Sequence, residues 1–96
     1  MAFEFDETKS AANLEKHGID FQAAQGLWLD REGMEVPARS EAEPRLKLVA
    51  RFRDKIWTAI FTQRGDNVRI ISVRRARAQE EEAYEQNDSG KSGSQV

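Results

Sequence analysis

The chain contains no cysteine. That excludes a disulfide staple, a thiolate metal site and a cysteine nucleophile. It has a single histidine, His17, so a histidine-rich metal centre is excluded as well. No apolar run approaches the ~20 residues that span a bilayer. The N-terminus carries Glu4, Asp6 and Glu7 and lacks the basic and apolar regions of a signal peptide. A cytoplasmic protein without membrane contact is the expectation. Glycine-rich phosphate loops are missing: Gly90 and Gly93 lie in a Ser-rich stretch without a Walker pattern, so no nucleotide cofactor is expected. There is no internal repeat. With 96 residues, 39% of them hydrophobic, the chain has room for one small core.

What the chain has in excess is arginine, and its placement is uneven. Arg45 to Arg77 holds eight Arg and two Lys against Asp54 and Asp66, a local charge of +8. Met1 to Pro44 carries −6 and Ala78 to Val96 carries −4. The formal net charge of −2 therefore hides a basic centre between two acidic ends. A localised positive field attracts polyanions, and the planar fork of Arg suits bidentate phosphate contact.

Hydrophobic periodicity divides the chain into elements. Phe3-Glu4-Phe5 alternates as a short strand. Asp6 is placed to cap a helix running to about Lys16, with Gly18 as its C-terminal stop. Asp20 is a second N-cap, and Phe21, Ala24, Leu27 and Trp28 share one helical face. Asp30 to Glu43 is polar, with Pro37 and Pro44 as breakers and a short strand near Met34–Val36. Leu46, Leu48, Ala50 and Phe52 alternate with Lys47, Val49 and Arg51, as in a half-buried strand. Lys55 to Arg64 and Asn67 to Arg74 are strands joined at Gly65-Asp66. Ala76 to about Gln86 is a helix. Residues 88–96 are Gly/Ser-rich and expected to be a disordered tail after one domain over residues 1–87.

The hairpin register decides which arginines meet. A two-residue turn at Gly65-Asp66 pairs Arg64 with Asn67, Gln63 with Val68 and Thr62 with Arg69. Opposed residues share a face, so Thr62, Arg64 and Arg69 then lie together. A three-residue turn would separate them, because a one-residue slip reverses every side chain. Against a functional cluster stands an ordinary one: solvated charges on the open face of an antiparallel sheet.

An ordered set of motifs resembles a known family. Phe3-Glu4-Phe5-Asp6-Glu7, Lys9, Asn13-Leu14, Lys16-His17-Gly18-Ile19, Phe21 and Ala24 resemble the opening of the BrnT family of type II toxins. Thr62-Gln63-Arg64, Arg69-Ile70-Ile71-Ser72-Val73-Arg74-Arg75-Ala76, then Glu80 and Tyr84-Glu85 resemble its second half. The resemblance implies an α+β fold of RelE-like type: N-terminal helices on an antiparallel sheet, with a C-terminal helix. It implies metal-independent RNA cleavage that inhibits translation. It also implies a BrnA-type antitoxin with a DNA-binding domain, in an assembly with two copies of each partner. The sequence departs from the family pattern at Arg39-Ser40, where a His-Ser pair is usual, and at Pro44, Ala50 and Glu81.

RNA cleavage needs an aligned 2′-hydroxyl, stabilisation of the phosphorane charge, and proton transfer. Arg64 and Arg69 are the candidates for charge stabilisation, with Arg74 positioning the backbone. Glu43 and Tyr84 are candidates for proton transfer, each with an ordinary alternative as a solvated carboxylate or a packed ring. His17 fits a helix-end packing role better than a catalytic one. Arg51, Arg53, Arg75 and Arg77 are candidate RNA contacts. No cofactor or metal is expected. The expected activity is an endoribonuclease toxin. Arg39 in place of His motivates an alternative: an attenuated toxin that serves as an antitoxin-binding co-regulator.

Overall fold

The computed structural model describes residues 1–38 and 44–93, with side chains as far as Gln86. Along the chain come β1 (Phe3–Glu4), α1 (Glu7–His17), α2 (Phe21–Ala24), a 3₁₀ segment (Gln25–Leu29) and β2 (Met34–Ala38). β3 (Arg45–Phe52), β4 (Lys55–Arg64), β5 (Asn67–Arg75) and α3 (Ala78–Gly93) follow. This is an α+β fold on one five-stranded sheet, in the order β1-β5-β4-β3-β2. The Arg39 and Glu43 expectations lie outside the described residues.

The N-terminal caps are those the sequence marks. Asp6 accepts from the Lys9 amide at 3.0 Å, and Gly18, at φ +83°, donates to the Leu14 carbonyl. The left-handed backbone at Gly18 is one that a Cβ would penalise. Two small polar residues anchor α1 to its surroundings. Ser10 Oγ accepts from the Phe21 amide at 2.9 Å. Buried Asn13 donates to the carbonyls of Ile19 and Val73 at 2.8 and 2.9 Å and accepts from the Val73 amide at 3.2 Å. The Asn13 amide thus satisfies backbone groups that burial would otherwise leave unpaired.

The second helix is tighter than expected. Asp20 caps it through the Ala23 amide at 2.8 Å, but only Phe21–Ala24 is α-helical, and 3₁₀ geometry takes over to Leu29. The buried residues Phe21, Ala24 and Leu27 are three apart, the repeat of a 3₁₀ helix. The ring of Phe52 presses on this segment at Gly26, where an added Cβ would lie 2.3 Å from it. Trp28 packs edge-on against Phe3 and Phe61 at 5.1 and 5.2 Å between centroids.

Four strands pair antiparallel and β1 pairs parallel to β5, so the sheet is mixed. Pro37 does not break the chain; it sits inside β2, opposite Leu46. β2 is an edge strand, where the missing amide of proline is tolerated. Between Ile60 and Phe61 the β4–β5 register shifts by a bulge. One sheet face, with Leu48, Ala50, Trp57, Ala59, Phe61, Val68, Ile70 and Val73, packs under α1 and α2 with Ile19, Phe21, Ala24 and Leu27. On the other face Val49 and Ile56 pack against Tyr84 of α3. α3 continues past the expected end near Gln86; its glycines weaken a helix without removing a hydrogen bond as proline would. The expected tail thus overlaps α3 to Gly93, and residues 94–96 lie outside the described residues.

Candidate active site

The face that carries α3 leaves the hairpin end of the sheet open. There Gly65-Asp66 forms the two-residue turn, Gly65 at φ +59°. The register is Arg64 to Asn67, Gln63 to Val68 and Thr62 to Arg69. Arg64 and Arg69 consequently share one face. The parallel pairing of β1 sets Glu4 beside Arg69, and Glu4 Oε1 lies 3.3 Å from Arg64 Nε and 3.8 Å from Arg69 Nη1. The arginine side chains are 57% and 40% exposed. Among the described residues one shared carboxylate is their ion-pair partner, which leaves most of their ten N–H donors available to a ligand.

A concavity of about 460 Å³ adjoins Arg64, bounded also by Thr62, Arg45, Pro37 and Pro44. Arg45 Nε is shut off from solvent without a hydrogen-bond partner among the described residues. Arg45 and Glu4 are members of this end to which the sequence assigned no role in the site, though Glu4 belongs to the Phe3-Glu4-Phe5 strand and the opening motif. Their signal was faint: Arg45 opens a strand after proline, and Glu4 reaches the site only through a parallel pairing.

Arg74 and Tyr84 are elsewhere. Arg74 pairs with Thr58 in the ladder, six positions along β4 from Arg64, or ~20 Å at ~3.3 Å per residue. Its guanidinium grips Glu80 through both nitrogens, at 2.8 and 3.0 Å. Glu80 also accepts from Lys47 Nζ and Thr58 Oγ1 at 2.9 Å and from the Arg77 amide at 2.8 Å. Chiefly through Arg74, these contacts outweigh burial and hold the Glu80 carboxyl far below its ordinary range. The buried Tyr84 donates to Asp30 Oδ2 at 2.6 Å. Burial first, then this carboxylate, push the phenol up to about 12. Asp30 also accepts from the amides of Arg51 and Glu32 at 2.8 and 2.9 Å. Burial opposes these bonds, yet its carboxyl is lowered. The structure therefore brings Arg64 and Arg69 together and sets Arg74 and Tyr84 in the contacts that dock α3.

The four candidate RNA contacts lie toward the other end of the sheet, with Arg51 on the α3 face and Arg75 beside Trp57 on the opposite face. Arg51 lies 5.7 Å from the Tyr84 ring, Arg53 4.7 Å from Phe52 and Arg75 5.6 Å from Trp57. Guanidinium faces held over rings are ordered cations. Arg53, Lys55, Arg75 and His17 edge a cleft of about 300 Å³. Arg77 is exposed at the start of α3. Trp57 is 7% exposed and donates to the Phe52 carbonyl, so it serves as a floor rather than a stacking platform. Among the described residues no group of three His, Asp or Glu side chains converges to hold a metal ion, and no helix is long and apolar enough to cross a membrane.

A small α+β fold with arginines ordered along a sheet, most of them unmatched by carboxylates among the described residues, has the charge layout of a protein that handles polyanions. Comparison with known families makes this specific. Residues 5–80 match the family described as "Ribonuclease toxin, BrnT, of type II toxin-antitoxin system", and the chain belongs to that family. Members are ribonuclease toxins, with RNA as target and an antitoxin as partner. No curated protein matches the chain.

Proposed function

We propose that the chain is a metal-independent endoribonuclease toxin of RelE-like type. It acts in the cytoplasm to inhibit translation and is neutralised by a BrnA-type antitoxin with a DNA-binding domain, in an assembly with two copies of each. The observation that carries this reading is the half-exposed Arg64–Arg69 pair on one sheet face. Both guanidiniums approach one carboxylate oxygen, Glu4 Oε1, and on this reading they converge in the same way on one phosphate. Their charge is permanent, so it is in place as the phosphorane forms. The 2′-oxygen attacks the adjacent phosphorus, and the 5′-oxygen leaves. The products are a cyclic phosphate and a 5′-hydroxyl. Arg51, Arg53, Arg75 and Arg77 hold the strand beyond the cleaved bond. Arg74 acts at one remove by keeping α3 in place.

The test is incubation of purified chain with RNA in excess EDTA, with and without ribosomes, beside Arg64→Ala. Removing one such donor is expected to slow cleavage by about 10²–10³-fold with the fold intact. An Arg64→Ala variant as active as wild type would remove the pair from the mechanism.

A second reading is supported by one placement. The only histidine in the chain, His17, lies beside Arg53 and Arg75 rather than beside Arg64, and Arg39 stands where the family resemblance leads one to expect a histidine. On this reading the chain is an attenuated toxin that binds antitoxin and assists repression. Folded wild-type protein that binds RNA but leaves it intact, with ribosomes present, is its signature.

A further inference from the structure

We propose that Glu4 is the general base of the ribonuclease reaction, accepting the proton of the 2′-hydroxyl between Arg64 and Arg69. This rests on the toxin reading above and assigns the step that the arginines leave open, because a guanidinium that never loses its proton cannot take one.

Among the described residues Glu4 is the only carboxylate within ion-pair distance of either arginine. Three other carboxylates among the described residues are committed elsewhere. Glu80 is 9% exposed and receives five donor contacts from Arg74, Lys47, Thr58 and the Arg77 amide. Asp30 is held by Tyr84 and two amides. Asp6, close enough to Arg69 to feel its charge, is spent on capping α1.

Glu4 is held differently from Glu80. Its arginine contacts of 3.3 and 3.8 Å are loose beside the 2.8 and 3.0 Å of the Arg74–Glu80 fork. Oε2 accepts a single long bond, 3.4 Å, from Asn67 Nδ2. Lone pairs remain free, and the side chain is 34% exposed. The backbone beneath it is fixed: Ala2 accepts from the Val68 amide at 2.9 Å and donates to Asn67 Oδ1 at 3.2 Å. The base is therefore positioned by the strand, not by a tight ion pair that would consume its acceptors.

The step balances as follows. Glu4 takes the 2′-hydroxyl proton, the 2′-oxygen pair forms the new bond to phosphorus, and the bond from phosphorus to the 5′-oxygen breaks. The 5′-oxygen receives a proton from solvent water, and Glu4 returns its proton to solvent.

The alternative role for Glu4 is to screen or clamp the arginines, and the two roles predict opposite signs. The full chain, wild type and as Glu4→Gln, Glu4→Asp and Arg64→Ala, is assayed with an oligoribonucleotide under single-turnover conditions across pH. Binding is measured separately with a 2′-O-methyl oligoribonucleotide that cannot be cleaved, and folding by thermal melting. Loss of a base is expected to cut the Glu4→Gln rate by about 10²-fold or more. Affinity for the uncleavable strand stays equal or tightens, because a negative charge has left a phosphate site. The acidic limb of the pH–rate profile disappears in Glu4→Gln and returns, at a lower rate, in Glu4→Asp. A Glu4→Gln variant as fast as wild type or faster, with Arg64→Ala inactive, overturns the base and leaves the toxin reading standing. Wild type that does not cleave, with or without ribosomes, overturns both. If Glu4→Gln fails to fold, an acidic limb unaltered in Glu4→Asp at full rate overturns the assignment.

Discussion

Glu80 shows how far a single side chain can organise a fold. Its carboxylate collects Arg74, Lys47, Thr58 and the Arg77 amide, and so ties α3 to β3, β4 and β5. Removing one member of a buried pair leaves the others uncompensated. Glu80→Ala is therefore expected to destabilise the protein by about 3–5 kcal/mol, read by urea denaturation at neutral pH. The same contact sets an acid dependence. The carboxyl is depressed below its ordinary value of 4.5, with Arg74 as the main cause. Its contribution is thus fully present above the unfolded-chain value and is lost as pH falls from there toward the folded value. The stability gap between wild type and Glu80→Gln should narrow on acidification from about pH 5 downward; a gap that stays constant would contradict the linkage. From sequence, Glu80 was legible only as one of three consecutive glutamates and a family match. Nothing in Glu80-Glu81-Glu82 says which of the three faces the sheet until the start of α3 is fixed. The pairing of Arg74 was hidden for the same reason: spacing marks it as a cation but cannot reveal that its partner lies in the first turn of the next helix.

At the scale of elements, local signals worked where the chain's own chemistry decides the outcome. Asp6, Gly18 and Asp20 cap and stop helices as read, because a cap involves residues at most three or four positions apart. The Gly65-Asp66 turn fixed the register that unites Arg64 and Arg69. The misses came from tertiary contact. The segment after Ala24 tightens to 3₁₀ where Phe52 presses on Gly26. Pro37 enters a strand because that strand has a free edge. The β3–β4 turn carries a different lesson. Arg53 and Asp54 both have positive φ, 53° and 65°, the two-residue hairpin geometry that favours Asn-Gly. A side chain in this region is strained. Asp54→Gly is expected to stabilise the chain by about 0.5–1 kcal/mol, a rise of a few degrees in Tm for a chain of this size. A Tm that falls would show that Asp54 makes a contribution beyond its backbone conformation.

Over the whole molecule, the linear charge map becomes a spatial one. Five of the eight arginines of residues 45–77 fall into three groups along one sheet: Arg64 and Arg69 at the hairpin end, Arg74 under α3, and Arg53 and Arg75 at the far end. Only the middle group is tightly neutralised. Among the described residues Arg53, Lys55 and Arg75 form no ion pair; Arg75 Nε donates to the Ile56 carbonyl at 3.4 Å, and both guanidiniums lie over rings rather than against carboxylates. That layout was only half legible in the sequence. The sequence shows a basic centre between two acidic ends; in the fold, among the described residues, one acidic residue from each end, Glu4 and Glu80, pairs with the arginines, at different sites and with different tightness. If the far-end arginines hold RNA backbone, their share is separable by salt. Each phosphate contact on a single strand contributes a slope of about −0.7 in log affinity against log salt. Arg53→Ala with Arg75→Ala should therefore weaken binding of an uncleavable strand at low salt and flatten that slope by about 1.4. Arg77, exposed at the head of α3, would be the next contact to remove. Weaker binding with an unchanged slope would mean that the two arginines act through the Phe52 and Trp57 rings they cover. Unchanged binding and slope would confine the RNA to the Arg64–Arg69 end, and would leave the far cleft free for a different partner.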